Sequence, residues 1–365
     1  MKIILYIGHH KVGSTALQAF LARNWLPLAR AGILYPSVEA HGFAGNLKSA
    51  LGAGEAFEQL PIQIREPHSA LAYRMIADVS DRPIPPQFQG LPATPQMFRA
   101  LRKQVEHLQP HTMILCSEAL SNFGQVDPEL VTRLCDVFPG AKFQTYCALR
   151  RPDDYITSWH GQRLKVGETP PALWEDGFAQ YRDGIHFDYR LVVQAWQDRV
   201  PGGRMILRNY ADILATGGSA EDFIAQTGLA LPADTQPARR ENTSLPLASF
   251  ALMDRANRDL GAHVAHPLSL YLQTHGQVLS PVPDSDIEMF GQEQRDQMAD
   301  AFAPIHDHLN RLARTHAFFP DIDEMRRTRP VPAIDAARRL LAVFSPQGMP
   351  NPALSDYIKT LQANF

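Results

Sequence analysis

The residues with the clearest chemical potential open the chain: Gly8-His9-His10-Lys11-Val12-Gly13-Ser14-Thr15 follows a short apolar run and precedes a helical pattern. A glycine-bearing turn from strand to helix turns backbone N–H groups and the positive helix end toward one point, which suits a phosphate. The spacing nearly matches the nucleotide-triphosphate loop G-x-x-x-x-G-K-[ST], but Ser14 occupies the lysine position and the lysine sits earlier, at Lys11. The same residues also fit a plain strand-to-helix turn with a solvated lysine.

A second group, Leu149-Arg150-Arg151-Pro152-Asp153-Asp154-Tyr155-Ile156-Thr157-Ser158, closes another apolar run. Pro152 suits a first helical turn, and Asp153 and Asp154 suit its positive end. An arginine at a strand end and a hydroxyl two turns along a helix can meet one terminal phosphate, the arginine through charge-assisted bidentate bonds. A capped helix carrying a surface arginine pair is the simpler alternative. A third feature is Cys116-Ser117-Glu118, where a carboxylate ends an apolar strand. It is placed either to accept a proton from a reacting hydroxyl or to cap the next helix. His10 and His9 are the other candidate bases.

Three strands and the helices between them must place these groups. Ile3 to Ile7 reads as a buried strand and Ser14 to Asn24 as a helix, with Leu17, Phe20 and Leu21 at helical spacing. Thr112 to Cys116 and Lys142 to Leu149 read as further strands, separated by a helix from Pro128 to Val137 and preceded by one carrying Met97, Leu101, Val105 and Leu108. Leu191 to Trp196, Met205 to Leu207 and Ala220 to Thr227, stopped by Gly228, continue the alternation. This rhythm predicts an α/β fold, a P-loop-like parallel sheet flanked by helices. Gly32 to Pro36 reads as a short strand, and residues 37–95 as loops and short helices over a site. From Leu245 the pattern is helical with Pro-rich joints and no clear strand. The expected organisation is a core over 1–240, with 37–95 a variable substrate-covering insertion, and a helical C-terminal extension over 241–365 packed on it.

Taken together, the loop and the strand–helix junction resemble the family of sulfotransferases that use 3'-phosphoadenosine 5'-phosphosulfate (PAPS), strongly over these motifs and loosely over the first 240 or so residues. The resemblance implies that Lys11, Val12, Gly13, Ser14 and Thr15, with His9 beside them, bind the 5'-phosphosulfate. A lysine inside the loop reaches the bridging oxygen of the leaving phosphosulfate, whereas the usual loop lysine lies along β- and γ-phosphates. Arg150 and Ser158 then hold the 3'-phosphate, being two residues before and six after Pro152, with Arg151 a helper or a neighbour. Glu118 would be the base, as in carbohydrate-type and bacterial members. Tyr210, in Leu207-Arg208-Asn209-Tyr210, would lie near the adenine or simply pack in the core, and Arg240 and Asn242, with Arg239, resemble the late loop that closes over the nucleotide. One departure is His10-Lys11 where the family commonly has Pro-Lys, so the two histidines would add acceptor contacts or pack.

Composition sets the limits. The chain has 365 residues, 45% of them hydrophobic and 20% charged, with a formal charge of -3. It has no overall basic field for nucleic acid, so any anion site must be local. Cys116, Cys135 and Cys147 lack ligand spacing and read as core thiols, and no H-E-x-x-H pattern points to a metal. Met1 to Gly8 reads as a first strand rather than a signal peptide, and no apolar run suits a membrane span, so a cytoplasmic location is expected. The expected partner is a small-molecule or saccharide acceptor, with PAPS as cosubstrate and no metal. Two alternatives are a small-molecule or nucleotide kinase with an unusual loop, and a non-catalytic nucleotide-binding protein on the same fold.

Overall fold

The structure is a computed structural model that describes residues 1–53, 59–239, 244–349 and 351–364. Its centre is β1 (Lys2–Tyr6), an apolar run with both faces covered. The chain continues through α1 (Ser14–Arg23), α2 (Trp25–Arg30) and the short β2 (Ile33–Leu34). Three helices occupy the segment expected to be loops and short helices: α3 (Ala40–Ala50), the single turn α4 (Ile62–Arg65) and α5 (Pro67–Ala77). The α5 helix has no glycine, carries Ala, Leu, Arg and Met, which favour helix, and buries Leu71, Ala72, Met75 and Ile76.

Beyond it come α6 (Thr94–Leu108), β3 (Thr112–Cys116), the short α7 (Phe123–Val126), α8 (Glu129–Cys135) and β4 (Lys142–Leu149). Then follow α9 (Pro152–Lys165), α10 (Arg190–Arg199), β5 (Arg204–Asn209), α11 (Tyr210–Ala215) and α12 (Ser219–Thr227), which ends on Gly228 in the left-handed region at φ 67°. Strands β1 to β5 form one parallel sheet in the order β2-β3-β1-β4-β5, flanked by helices. Lys2 pairs with Thr112 on one side and Lys142 on the other, and Gln144 of β4 pairs with Arg204 of β5. Continuous burial of β1, β3 and most of β4 is the signature of parallel strands covered on both faces.

The C-terminal part is mostly helical: α13 (Phe250–Leu260), α14 (Ala262–Leu279), α15 (Gln292–Ala313), α16 (Ala333–Val343) and α17 (Pro352–Asn364). It also holds a parallel pair of two-residue strands, β6 (Ile287–Glu288) and β7 (Val331–Pro332), which were not expected from the sequence. Runs this short carry no periodicity to read.

Packing divides the chain into two units, neither continuous in sequence. Unit 1 comprises 1–150, 188–241 and 308–318 and contains the five-stranded sheet; unit 2 comprises 151–187, 242–307 and 319–365. In unit 1, Ile4, Tyr6, Ile114, Tyr146 and Ala148 of the sheet pack against Leu17, Phe20 and Leu21 of α1 and Phe223 of α12. In unit 2, Gly161 of α9 lets Phe250 of α13 approach closely, since a Cβ there would lie 2.5 Å from the ring.

Candidate functional site at the strand ends of unit 1

The loop from Gly8 to Gly13 leaves the C-terminal end of β1. At first it continues the ladder with β4, the Ile7 N–H donating to the Tyr146 carbonyl and the His9 N–H to the Ala148 carbonyl, at 3.0 and 2.9 Å. Only glycine fits at position 8, because a Cβ would come within 2.9 to 3.0 Å of Ala148 backbone atoms. Lys11 and Gly13 both take left-handed conformations, φ 59° and 81°. These turn the chain sharply into α1, whose first helical bond runs from the Leu17 N–H to the Gly13 carbonyl at 3.2 Å. Helix geometry leaves the N–H groups of Ser14, Thr15 and Ala16 without carbonyls of their own turn. The first turn of α1 has no acidic residue to occupy the positive end. Ser219, at the start of α12, clasps the loop by donating its hydroxyl to the Val12 carbonyl at 2.9 Å.

Glu118 lies at the C-terminal end of β3, next to β1. Its Oε2 accepts from Gln18 Nε2 at 2.9 Å, and its Oε1 lies 3.8 Å from His10 Nδ1. Gln18 is buried on the same face of α1 as Ser14, one turn on. Ser69 of α5 lies 3.5 Å from Gln18 Oε1 and hydrogen-bonds the Ser117 hydroxyl at 2.8 Å. Ser117 in turn caps the following turn by accepting from the Ala119 N–H at 3.0 Å. The carboxylate is therefore held by a side chain from α1 within a network that α5 completes. Burial pulls the His10 pKa down, Glu118 pulls it up and Lys11 pulls it down again, and the net shift is downward, so the ring is neutral at neutral pH.

Arg150 follows β4. Its carbonyl accepts from the Tyr189 hydroxyl at 2.7 Å, and its guanidinium lies over the Tyr210 ring, 5.4 Å from the centroid. Tyr210 opens α11, whose start is capped by Asn209 Oδ1 accepting from the Ala211 N–H at 3.1 Å. His9 is buried edge-on against Tyr189 at 4.2 Å. Within unit 1 the structure thus places Lys11, Ser14, Thr15, His10, Glu118, Arg150 and Tyr210 at the C-terminal ends of four adjacent strands, β3, β1, β4 and β5. In an open α/β sheet ligands favour the crevice where the chain reverses direction, here between β1 and β4.

Other expected residues fall elsewhere. Ser158 sits half-buried on the second turn of α9 and belongs to unit 2. Arg151 turns into the interior of unit 2, where it pairs with Asp153 at 2.7 Å and with Asp321. His160 is buried against the Tyr181 hydroxyl at 3.0 Å, and burial pulls its pKa down to about 3. Arg163 binds Glu168 and Tyr181, and Trp159 stacks on His186 at 4.7 Å, so this face of α9 is largely occupied within its own unit. Arg240 and Asn242 lie outside the described residues. Arg239 lines a polar cavity at the C-terminal end of α1.

Gln18, Ser69, Ser219 and Asp222 were not anticipated as supports. Asp222 is fully buried on α12, accepts two bonds from Arg208 of β5 at 2.7 and 3.0 Å and one from the Tyr146 hydroxyl at 2.6 Å, and so fixes the helix whose Ser219 holds the loop. For Gln18 a signal existed in its i,i+4 relation to Ser14; the others depend on long-range pairing.

Cys116, Cys135 and Cys147 are buried and unlinked, and burial pushes all three thiols up, Cys135 to about 12. Among the described residues no three His, Cys, Asp or Glu side chains converge as a metal ligand set, and no helix is long and apolar enough to cross a membrane. No protein-family model, curated protein or solved structure matches the chain.

Proposed function

We propose that unit 1 binds PAPS and transfers its sulfuryl group to an acceptor hydroxyl or amine, a saccharide or small metabolite. The observation that carries this reading is the convergence of a left-handed lysine loop, a carboxylate fixed by Gln18 and an arginine on an aromatic ring at the ends of β1, β3 and β4. In this reading the N–H groups of the first turn of α1 and Lys11 hold the 5'-phosphosulfate, and Arg150 holds the 3'-phosphate with Tyr210 beside the nucleotide.

Glu118 accepts the acceptor's proton as the acceptor oxygen or nitrogen forms its bond to sulfur. The bond between sulfur and the 5'-phosphate oxygen breaks, and Lys11 meets the charge that appears on the departing 3',5'-bisphosphate. The moving group carries fewer charges than a phosphoryl group, so lysine, hydroxyl and backbone donors suffice without magnesium. A displaced loop lysine, with Ser14 in its usual place, supports this reading over ATP-dependent phosphoryl transfer.

The test is transfer from PAPS to a panel of saccharide and small-molecule acceptors in the presence of EDTA. Turnover that persists in EDTA and falls by about 10²–10⁴ in Glu118→Gln supports the assignment. Transfer from ATP that requires magnesium would replace it with the kinase reading.

A further inference from the structure

Unit 2 holds a cavity of about 320 Å³ beside the short β6–β7 pair. Those two strands run parallel, Ile287 opposite Val331, so the residues just before each lie at one end of the pair. Asp284 stands three residues before β6 and Arg329 two before β7, and both line the cavity. Its apolar wall is made by Leu247, Ile287, Met289 and Phe290, the last three buried.

Most of the charge around this cavity is already matched. Arg151 is bound to Asp153 and Asp321, and Arg295 to Glu288 at 2.9 Å. Glu288 also accepts from the N–H groups of Phe290, Gly291 and Arg329, at 2.8, 2.9 and 2.7 Å, which ties the approach to β7 onto β6. Two charges are less fully met. Asp284 Oδ1 accepts from the Leu247 N–H at 2.9 Å, and among the described residues no cation pairs with this carboxylate. Burial outweighs that bond and pushes its pKa up. Arg329 gives one side-chain hydrogen bond, from Nη1 to Glu324 Oε2 at 3.2 Å, so Nε and Nη2 have no acceptor among the described residues. Asp284 and Arg329 do not pair with each other, so one ligand can meet both.

We infer that this cavity binds a free α-amino acid with an apolar side chain. Arg329 takes the carboxylate through the donors that Glu324 leaves unused, Asp284 takes the ammonium group, and the wall from Leu247 to Phe290 takes the side chain. Such a ligand brings a cation to a carboxylate that burial disfavours and an anion to a guanidinium, and adds no net charge to the site. A cavity of about 320 Å³ lies at the small end of the range for ligand pockets, as a single small metabolite requires. The site lies wholly within unit 2 and does not rest on the sulfuryl-transfer reading of unit 1.

The experiment is calorimetric titration of the full chain with L-leucine, L-methionine and L-phenylalanine, alongside the N-acetyl form of each, which lacks the ammonium group, and the amide of each, which lacks the carboxylate. The inference predicts saturable binding of at least one free amino acid, with affinity lower by about tenfold or more for its two blocked forms. Asp284→Asn and Arg329→Gln each lower the affinity by about tenfold or more. An asparagine can still accept the Leu247 N–H, and Arg329 is partly exposed, so both variants keep the fold, which an unchanged melting temperature verifies. Lys11→Ala, in unit 1, leaves the binding unchanged. Absence of amino-acid binding up to millimolar concentrations overturns the inference, as does binding that survives both substitutions or equal binding of the blocked forms.

Discussion

Arg150 and Arg151 are neighbours in sequence and opposites in structure. Arg151 lies in unit 2 with almost no exposed surface, its charge met by Asp153 and Asp321, while Arg295 beside it is bound to Glu288 and lies 3.5 Å from Asp153. Arg150, at the end of β4 in unit 1, rests on the Tyr210 ring, and among the described residues no carboxylate pairs with it. A buried arginine whose donors are already taken is a structural group. One held over an aromatic face keeps its fork available for a ligand anion. The contrast extends to the carboxylates: Asp153 is used up in ion pairs, whereas Glu118 is held through Gln18, a neutral amide that orients it and leaves its charge intact.

Four perturbations sharpen this contrast. The largest effect is expected from Lys11→Ala, which removes the loop cation: turnover from PAPS falls by about 10²–10³ while the melting temperature is unchanged, measured by initial rates and thermal denaturation. Next, Asp153→Ala leaves Arg151 and Arg295 short of a buried partner and destabilises by about 3–5 kcal/mol in denaturant titration. If the two regions differ as described, whatever folds at low temperature retains its affinity for adenosine 3',5'-bisphosphate. Third, Gly8→Ala forces β1 and β4 apart at the loop and costs about 1–3 kcal/mol, together with weaker nucleotide binding.

The smallest effect for each unit of change concerns pH. Burial holds His68 in unit 1 and His160 in unit 2 at about 3, below the value of 6.5 for a free histidine, so the unfolded chain binds more protons between pH 6.5 and 3. Stability is therefore full above about pH 6.5 and falls as pH drops through that window, by up to about 1.4 kcal/mol per pH unit for each histidine. His160→Gln should flatten the acid limb by one proton's worth of slope, read from denaturation midpoints at successive pH values.

Much of the α/β core was legible in the sequence. Ile3 to Ile7 and Met113 to Cys116 are continuous apolar runs, and Lys142 to Leu149 is apolar at Phe143 and from Tyr146 onward; they end in Gly, Ser-Glu and Arg-Arg, and a parallel strand buried on both faces reads that way. Gly228 marked the end of α12 because only a left-handed residue closes that helix easily. What the sequence could not convey is carried by distant partners. Nothing near Arg151 announces Asp321, nothing near Tyr146 announces Asp222, and so neither the discontinuous makeup of unit 2 nor the bracing of α12 was readable. Ser69 shows the same limit, since its value lies in meeting Ser117 across 48 positions.

The central claim is that the strand ends of unit 1 hold a 3',5'-bisphosphorylated adenosine, and titration with adenosine 3',5'-bisphosphate, alongside ATP with and without magnesium, tests it most directly. The account predicts micromolar bisphosphate binding that is insensitive to EDTA and weakens by about tenfold or more in Arg150→Ala. No bisphosphate binding, with magnesium-dependent binding of ATP in its place, would contradict it.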